Sequence, residues 1–261
     1  GIGNLGGAML GRGAWSLYRR DMIRYLRFAP EGVGGALVFS LLLMSVIALA
    51  RPEGESFADQ RTALQFLAPG IVGYALFLNA FQNASFPVIY DKLEGMIGDV
   101  LMAPLTPMEI LGAYLASALS GALLTGIAVL AAVSLFVELP LALPWLSLIF
   151  ALLGGLLFAL VGFLTGLWAP KWDRFSMVET FLVLPLGLLS GTFFTLDGLP
   201  ALGQRLLLAN PVFYAIDGVR SGFTGVAQAS VWLGLALLAG LVLLLWLLSW
   251  RLLAAGWRVK S

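Results

Sequence analysis

Cysteine and histidine are both absent from these 261 residues. The first absence removes any disulfide framework and all thiol chemistry. The second removes the commonest metal ligand and general base. Lysine is almost as scarce: Lys92, Lys171 and Lys260 are the three, and none follows a glycine. No phosphate-cradling GxxxxGK[ST] loop is therefore possible, so the chain does not hydrolyse ATP by that route. If it moves anything uphill, the energy comes from an ion gradient or from another subunit. Charged residues make up 11% of the sequence and the net charge is +1, which gives no sign of a nucleic-acid partner. No polar stretch is long enough to build a soluble domain. Instead, 60% of the residues are hydrophobic and the mean hydropathy is +0.96, the composition of a membrane protein.

Six stretches reach the roughly 20 apolar residues that a spanning helix needs. They lie near 33–50, 64–89, 107–137, 144–169, 176–195 and 231–253. Lysine and arginine number eleven on one side of this arrangement. The other side has four, Arg51, Arg61, Arg205 and Arg220. The positive-inside rule places both termini in the cytoplasm. The expected organisation is a flexible, Gly-rich N-terminus at 1–12, without the apolar core of a cleavable signal, then an interfacial helix at 13–30. A six-helix domain over 31–255 and a cytoplasmic tail at 256–261 follow.

Two amphipathic segments stand out. In the first, over Asp91–Glu109, a helix over 91–103 puts Leu93, Met96, Ile97, Val100 and Leu101 on one arc. Asp91, Lys92, Glu94, Gly95, Gly98 and Asp99 occupy the other. Pro104 and Pro107 stop it, and Thr106-Pro107-Met108-Glu109 is a capping box that opens the next helix. Met102 projects from the polar side, where an adaptable thioether suits a partner's pocket. The simpler reading is an interfacial helix that only ties two spans together. In the second segment, Trp15, Tyr18, Met22, Ile23, Tyr25 and Leu26 share one arc, opposite Arg20, Arg24 and Arg27. That pattern suits a helix lying on anionic lipid, or one that helps to hold a partner.

Small residues recur at four-residue spacing in the third span (Ala113, Ser117, Gly121, Thr125) and the fourth (Gly162, Gly166), as helix-packing devices. The second span carries an aromatic stripe, Phe66, Tyr74, Phe77 and Phe81, and a polar one, Asn79, Gln82, Asn83, Phe86 and Tyr90. Amides inside a membrane face protein or water. They either bond between helices or line a translocation path, and both readings stand. The connection 196–222 is too broken to span. Leu206–Ala209 and a short helix capped by Asn210 and Pro211 suggest a re-entrant segment, with Pro185 breaking the span before it. Asp217 and Arg220 lie three apart and are placed to pair near the aqueous boundary, with Gly191 and Gly222 as flexible points.

This order of features, together with the run PL..LSG.FF....LP....LL..NP..Y..DG.R.G before the last span, resembles the permease subunit of type-2 ABC exporters. Within that family it is most similar to the YadH-like, nodulation-factor and antibiotic-export branch. The resemblance covers about Trp15 to Leu253. It implies an all-α membrane fold with six transmembrane helices, a cytoplasmic coupling helix and re-entrant extracellular helices. It further implies a homodimer in the inner membrane, in contact with lipid, above two nucleotide-binding ATPase subunits that hold ATP and Mg. By the same resemblance, Lys92, Glu94, Asp99, Met102 and Pro104 dock the ATPase, flanked by Trp15, Tyr18, Arg20 and Arg24. Asn79, Gln82, Asn83 and Phe86 would border the path. Pro185, Gly191, Leu207, Asn210, Pro211, Asp217 and Arg220 would form the extracellular gate. Relatives often carry two adjacent acids in the coupling helix where this chain has Gly98-Asp99, so an acidic contact rests on Asp99.

Other functions fit less well. A proton-coupled carrier usually has a carboxylate deep in a span, whereas Glu109 and Glu179 lie near span ends. An intramembrane enzyme would need a Ser-Lys dyad or paired acids, and no lysine lies inside a span. No catalytic or metal-ligating residue is assigned.

Overall fold

A computed structural model describes residues 3–50 and 56–256, with side chains from residue 12 onward. The expected tail beyond Gly256 and the outer arginine at position 51 lie outside the described residues. The described chain is helical throughout. It comprises α1 (Gly3–Leu49), α2 (Phe57–Leu93), α3 (Ile97–Met102), α4 (Pro107–Val133) and α5 (Pro144–Trp168). These are followed by α6 (Trp172–Val178), a π-turn (Glu179–Val183), α7 (Leu184–Leu188), α8 (Ala201–Leu208), α9 (Pro211–Thr224) and α10 (Val231–Ala254).

Among the described residues, five helices are long and apolar enough to cross a membrane: α1 from Arg12, α2, α4, α5 and α10. The fifth expected span, 176–195, is instead the broken series α6, π-turn and α7. Pro185 explains the break. It has no N–H to give to the carbonyl four residues back, so the helix widens and the Leu184 N–H reaches the Glu179 carbonyl instead.

The central element is α2, packed against α4, α5 and α9. Its aromatic stripe is core. Phe77 stacks on Phe158 at 5.3 Å and Phe81 on Phe175 at 5.6 Å. The α5 glycines explain the closeness of the helices. A Cβ at Gly162 would collide with the Phe81 carbonyl, and one at Gly166 would sit 3.0 Å from the Ser85 carbonyl oxygen. Capping boxes open α2 at Ser56–Asp59 and α4 at Thr106–Glu109.

The structure redraws the N-terminal region. The expected surface helix and first span form one helix, α1, which passes through Pro30 without ending. Both arcs are split: Arg20 and Arg24 turn toward the protein while Arg27 is exposed, and Tyr18 and Tyr25 bond to α4 while Trp15 (63% exposed), Ile23, Leu26 and Phe28 point outward. Leu17, which fitted neither sequence arc, is buried. Arg20 and Arg24 have a partner about seventy residues away, Asp91, which no helical wheel can show.

Candidate functional site

The molecule has two ends. One carries α3, the N-terminal half of α1, and the C-terminal ends of α2, α5 and α10. The other carries α8, α9 and the start of α2.

At the α3 end the expected helix 91–103 is divided. α2 runs on through Leu93 and caps at Glu94, Gly95 turns the chain at φ 72°, and α3 begins at Ile97. Gly tolerates this left-handed turn at little cost. Asp91 and Lys92 therefore belong to α2, and both turn inward. Asp91 is fully buried and accepts hydrogen bonds from Arg20 Nη2 (2.7 Å), Arg24 Nη2 (3.1 Å) and Tyr114 Oη (2.7 Å). Arg20 also pairs with Asp21 at 3.0 Å, and Arg24 lies 4.9 Å above the Tyr90 ring. The cluster fastens α1, α2 and α4 together. Buried ions survive where opposite charges and hydrogen bonds meet them, as here.

The Lys92 ammonium donates to the carbonyls of Gly166 (3.1 Å), Leu167 (2.7 Å) and Ala169 (2.8 Å). It thereby caps the C-terminal end of α5, where the helix dipole favours a cation. Glu94, Asp99, Met102 and Pro104 remain on the surface, Met102 at 79% exposure. Val100 is buried and holds α3 to the body. α1 passes close by: a Cβ at Gly13 would lie 2.6 Å from the Leu105 side chain. Trp15 stacks on Tyr18, whose hydroxyl is 3.0 Å from Ser120 Oγ.

Directly beside this cluster lies a cavity of about 740 Å³ between α1 and α2. All four path candidates, Asn79, Gln82, Asn83 and Phe86, line it together with Arg20, Asp21 and Arg24. Asn83 donates to Asn79 at 2.7 Å, and Gln82 donates to Glu179 in the π-turn. The amides therefore bond within α2 or to the neighbouring π-turn, and they also line the cavity. Phe86 meets Trp172 edge-on at 5.6 Å on the apolar side.

At the opposite end, Asp217 and Arg220 are buried and do not form the expected exposed pair. Arg220, 2% exposed, donates to the carbonyls of Phe66 (2.9 Å), Gly191 (2.9 Å) and Thr192 (3.1 Å), and lies 3.9 Å over the Phe66 ring. The Asp217 carboxylate accepts from the backbone N–H groups of Gln228 and Ala229. Each charge ties down irregular backbone rather than meeting the other. Asn210 caps α9 and donates to Ser190 Oγ at 2.8 Å, with Pro211 at the first helical position. Leu207 is buried in a cluster with Phe213 and Tyr214. Gly191 takes φ 82°, a turn that favours glycine, with its carbonyl held by Arg220, and Gly222 sits within α9. It packs so close to Ser147 that no Cβ fits. Sequence reasoning missed Tyr114, Asp21 and the Ser56–Asp59 box. Only the last had a local signal, the Ser-x-x-Asp spacing.

Long apolar helices around a mostly apolar cavity that carries one polar strip, with a short surface helix at one end, fit a membrane transport subunit. Residues 10–224 match the ABC-2 type transporter family, and the chain belongs to it. It is 31% identical over 251 residues to the inner membrane transport permease YadH of Escherichia coli K12, covering 94% of this chain and 96% of that one. Nodulation protein J of Rhizobium leguminosarum bv. viciae is 28% identical over 255 residues, covering 91% and 92%. Nodulation protein J of Rhizobium meliloti is 26% identical over 224 residues, covering 78% and 79%. The chain is accordingly the membrane permease of an ABC exporter.

Proposed function

We propose that this permease works in the inner membrane as a homodimer, driven by two separate ATPase subunits that bind ATP and Mg. Its cargo is an amphipathic molecule moved outward: a lipid, glycolipid, lipid-linked glycan or drug. The carrying observation is the juxtaposition at the α3 end. The exposed helix α3 follows Asp91 by a single turn, and Asp91 holds Arg20 and Arg24, two of the arginines that wall the cavity. A push on α3 therefore has a short route to the cavity wall. The lysine and arginine excess supports placing this end in the cytoplasm. The series α6–π-turn–α7 completes a sixth span, and α8–α9 with the Gly191 turn form the re-entrant extracellular gate. The outward arc of α1 rests in lipid.

In this reading α3 is the coupling helix, docking through Glu94, Asp99, Met102 and Pro104, while Lys92 holds α5 in place behind it. Met102→Asp or Asp99→Arg is expected to abolish substrate-stimulated ATP hydrolysis by the assembled complex while leaving the permease folded and monodisperse. Normal coupled turnover in both variants would remove the docking role. Failure of any soluble ATPase to co-purify with the wild-type chain would favour a gradient-driven carrier.

A further inference from the structure

The C-terminal end of α5 is closed by a residue from another helix, and the reason is local. Ala169 leaves the helix in an extended conformation (φ −70°, ψ 119°), and Pro170 after it has no N–H to return to the last carbonyls. Lys92 supplies the missing donor. Its three acceptors are the carbonyls of Gly166, Leu167 and Ala169, and only Pro170 and Lys171 separate Ala169 from Trp172, the first residue of α6. α6 is held to α2 through rings: Phe175 stacks on Phe81 at 5.6 Å and meets Phe86 edge-on at 5.2 Å, and Trp172 lines the cavity. Lys92 follows Asp91 directly. Adjacent side chains on a helix diverge by about 100°, so one turn of α2 sends Asp91 to the cavity-lining Arg20 and Arg24 of α1, and Lys92 to the end of α5. The backbone of Lys92 is also the footing of α3, because the Gly95 N–H returns to the Lys92 carbonyl at 3.3 Å.

We propose that Lys92 is a positioning residue of the transport cycle: it carries a displacement of α3 to the α6 wall of the cavity, while Asp91 carries the same displacement to the α1 wall. The inference rests on reading α3 as the coupling helix. Apolar helix contacts let neighbouring helices slide, whereas three charge-assisted bonds from one ammonium make the end of α5 follow the end of α2. The carbonyls of α5 have no cheap alternative at the edge of a membrane, where an unpaired backbone group is costly. With the two anchors on successive residues, a shift of the last turn of α2 moves both walls in one step. With one anchor removed, only the other wall follows.

The test uses the full permease with the ATPase subunits that co-purify with it, reconstituted in nanodiscs. Gly32 on α1 and Trp172 on α6 both line the cavity, so Gly32→Cys and Trp172→Cys report the two walls separately. Labelling of the permease by a water-soluble maleimide is timed without nucleotide and with ATP plus vanadate. Each reporter is expected to change its rate by at least about five-fold, the lower end of ordinary coupling between sites. Adding Lys92→Met is expected to abolish the change at Trp172→Cys and to leave that at Gly32→Cys, whereas Asp91→Asn does the reverse. Lys92→Arg, whose guanidinium can still donate to carbonyls, is expected to keep part of the α6 response. Lys92→Gln takes the place of Lys92→Met if the latter does not assemble. Responses retained at both reporters in Lys92→Met, or lost at both together, overturn the positioning role, because a cap with no part in the cycle does not separate the two walls. Reporters that ignore nucleotide in the otherwise unaltered chain overturn the docking reading, and this inference with it.

Discussion

The two ends of this permease bury charge in different ways. At the α3 end, Asp91 gathers side chains from α1 and α4, so every one of these bonds joins one side chain to another. At the α9 end, Arg220 and Asp217 ignore each other and bond to backbone, at Phe66, Gly191 and Thr192 and at Gln228 and Ala229. Side-chain pairs between helices can exchange partners when the helices shift. Backbone bonded to a buried guanidinium has no comparable alternative inside a membrane, where an unpaired carbonyl is costly. The first arrangement suits a joint, and the second suits a gate that moves as one piece.

Arg220→Leu should have the largest effect on stability. It leaves three carbonyls without their donor and is expected to cost about 3–5 kcal/mol, the range for unpairing a buried charged network. The measurement is the thermal midpoint of the purified permease in detergent. Arg220→Lys should recover only part of the loss, because an ammonium lacks the planar fork that reaches Phe66 and the Gly191 turn together. A wild-type midpoint in Arg220→Leu would show that the α9 end is not held this way.

Asp91→Asn comes next. Its arginine partners are partly solvent-exposed, so the expected loss is smaller, about 1–3 kcal/mol. The contrast with Arg220 lies in function: ATP hydrolysis by the complex should lose its response to cargo while the permease stays folded. Retained coupling in Asp91→Asn would break the comparison, because the Asp91 cluster would then be no joint. The smallest effect is expected from Arg61→Gln. This residue pairs with Glu138 at 3.2 Å on the surface, and its loss should change stability by no more than about 1 kcal/mol.

The features visible in the sequence were those written in a local pattern. Five of the six span positions followed from hydropathy, the Thr106 and Asn210 caps from residue type at helix starts, and a close helix contact, though not its partner α2, from Gly162 and Gly166. The polar strip on α2 was legible because its residues recur on one helical face. The features that were not visible depend on partners far along the chain. Arg20 and Arg24 have the spacing of a lipid-facing arc, yet their counter-ion is Asp91, brought near by the folding of α1 against α2. Asp217 and Arg220 have the spacing of an i,i+3 pair, yet each finds backbone that is exposed by the Gly191 turn and the loop before α10. Asp91 and Asp99 look alike in an amphipathic plot. The positive φ at Gly95 separates them, sending one into the core and leaving the other on the surface.

If cargo passes between α1 and α2, the cavity there must be reachable from water at the α3 end. The chain has no native cysteine, so single cysteines report without background. With Gln82→Cys, Asn83→Cys and Phe77→Cys compared in membranes, the first two should react readily with a water-soluble maleimide. Phe77→Cys, replacing a ring stacked on Phe158 in the core, should stay protected. Equal protection at all three positions would make the polar strip a helix-packing seam, and the path through this cavity would be contradicted.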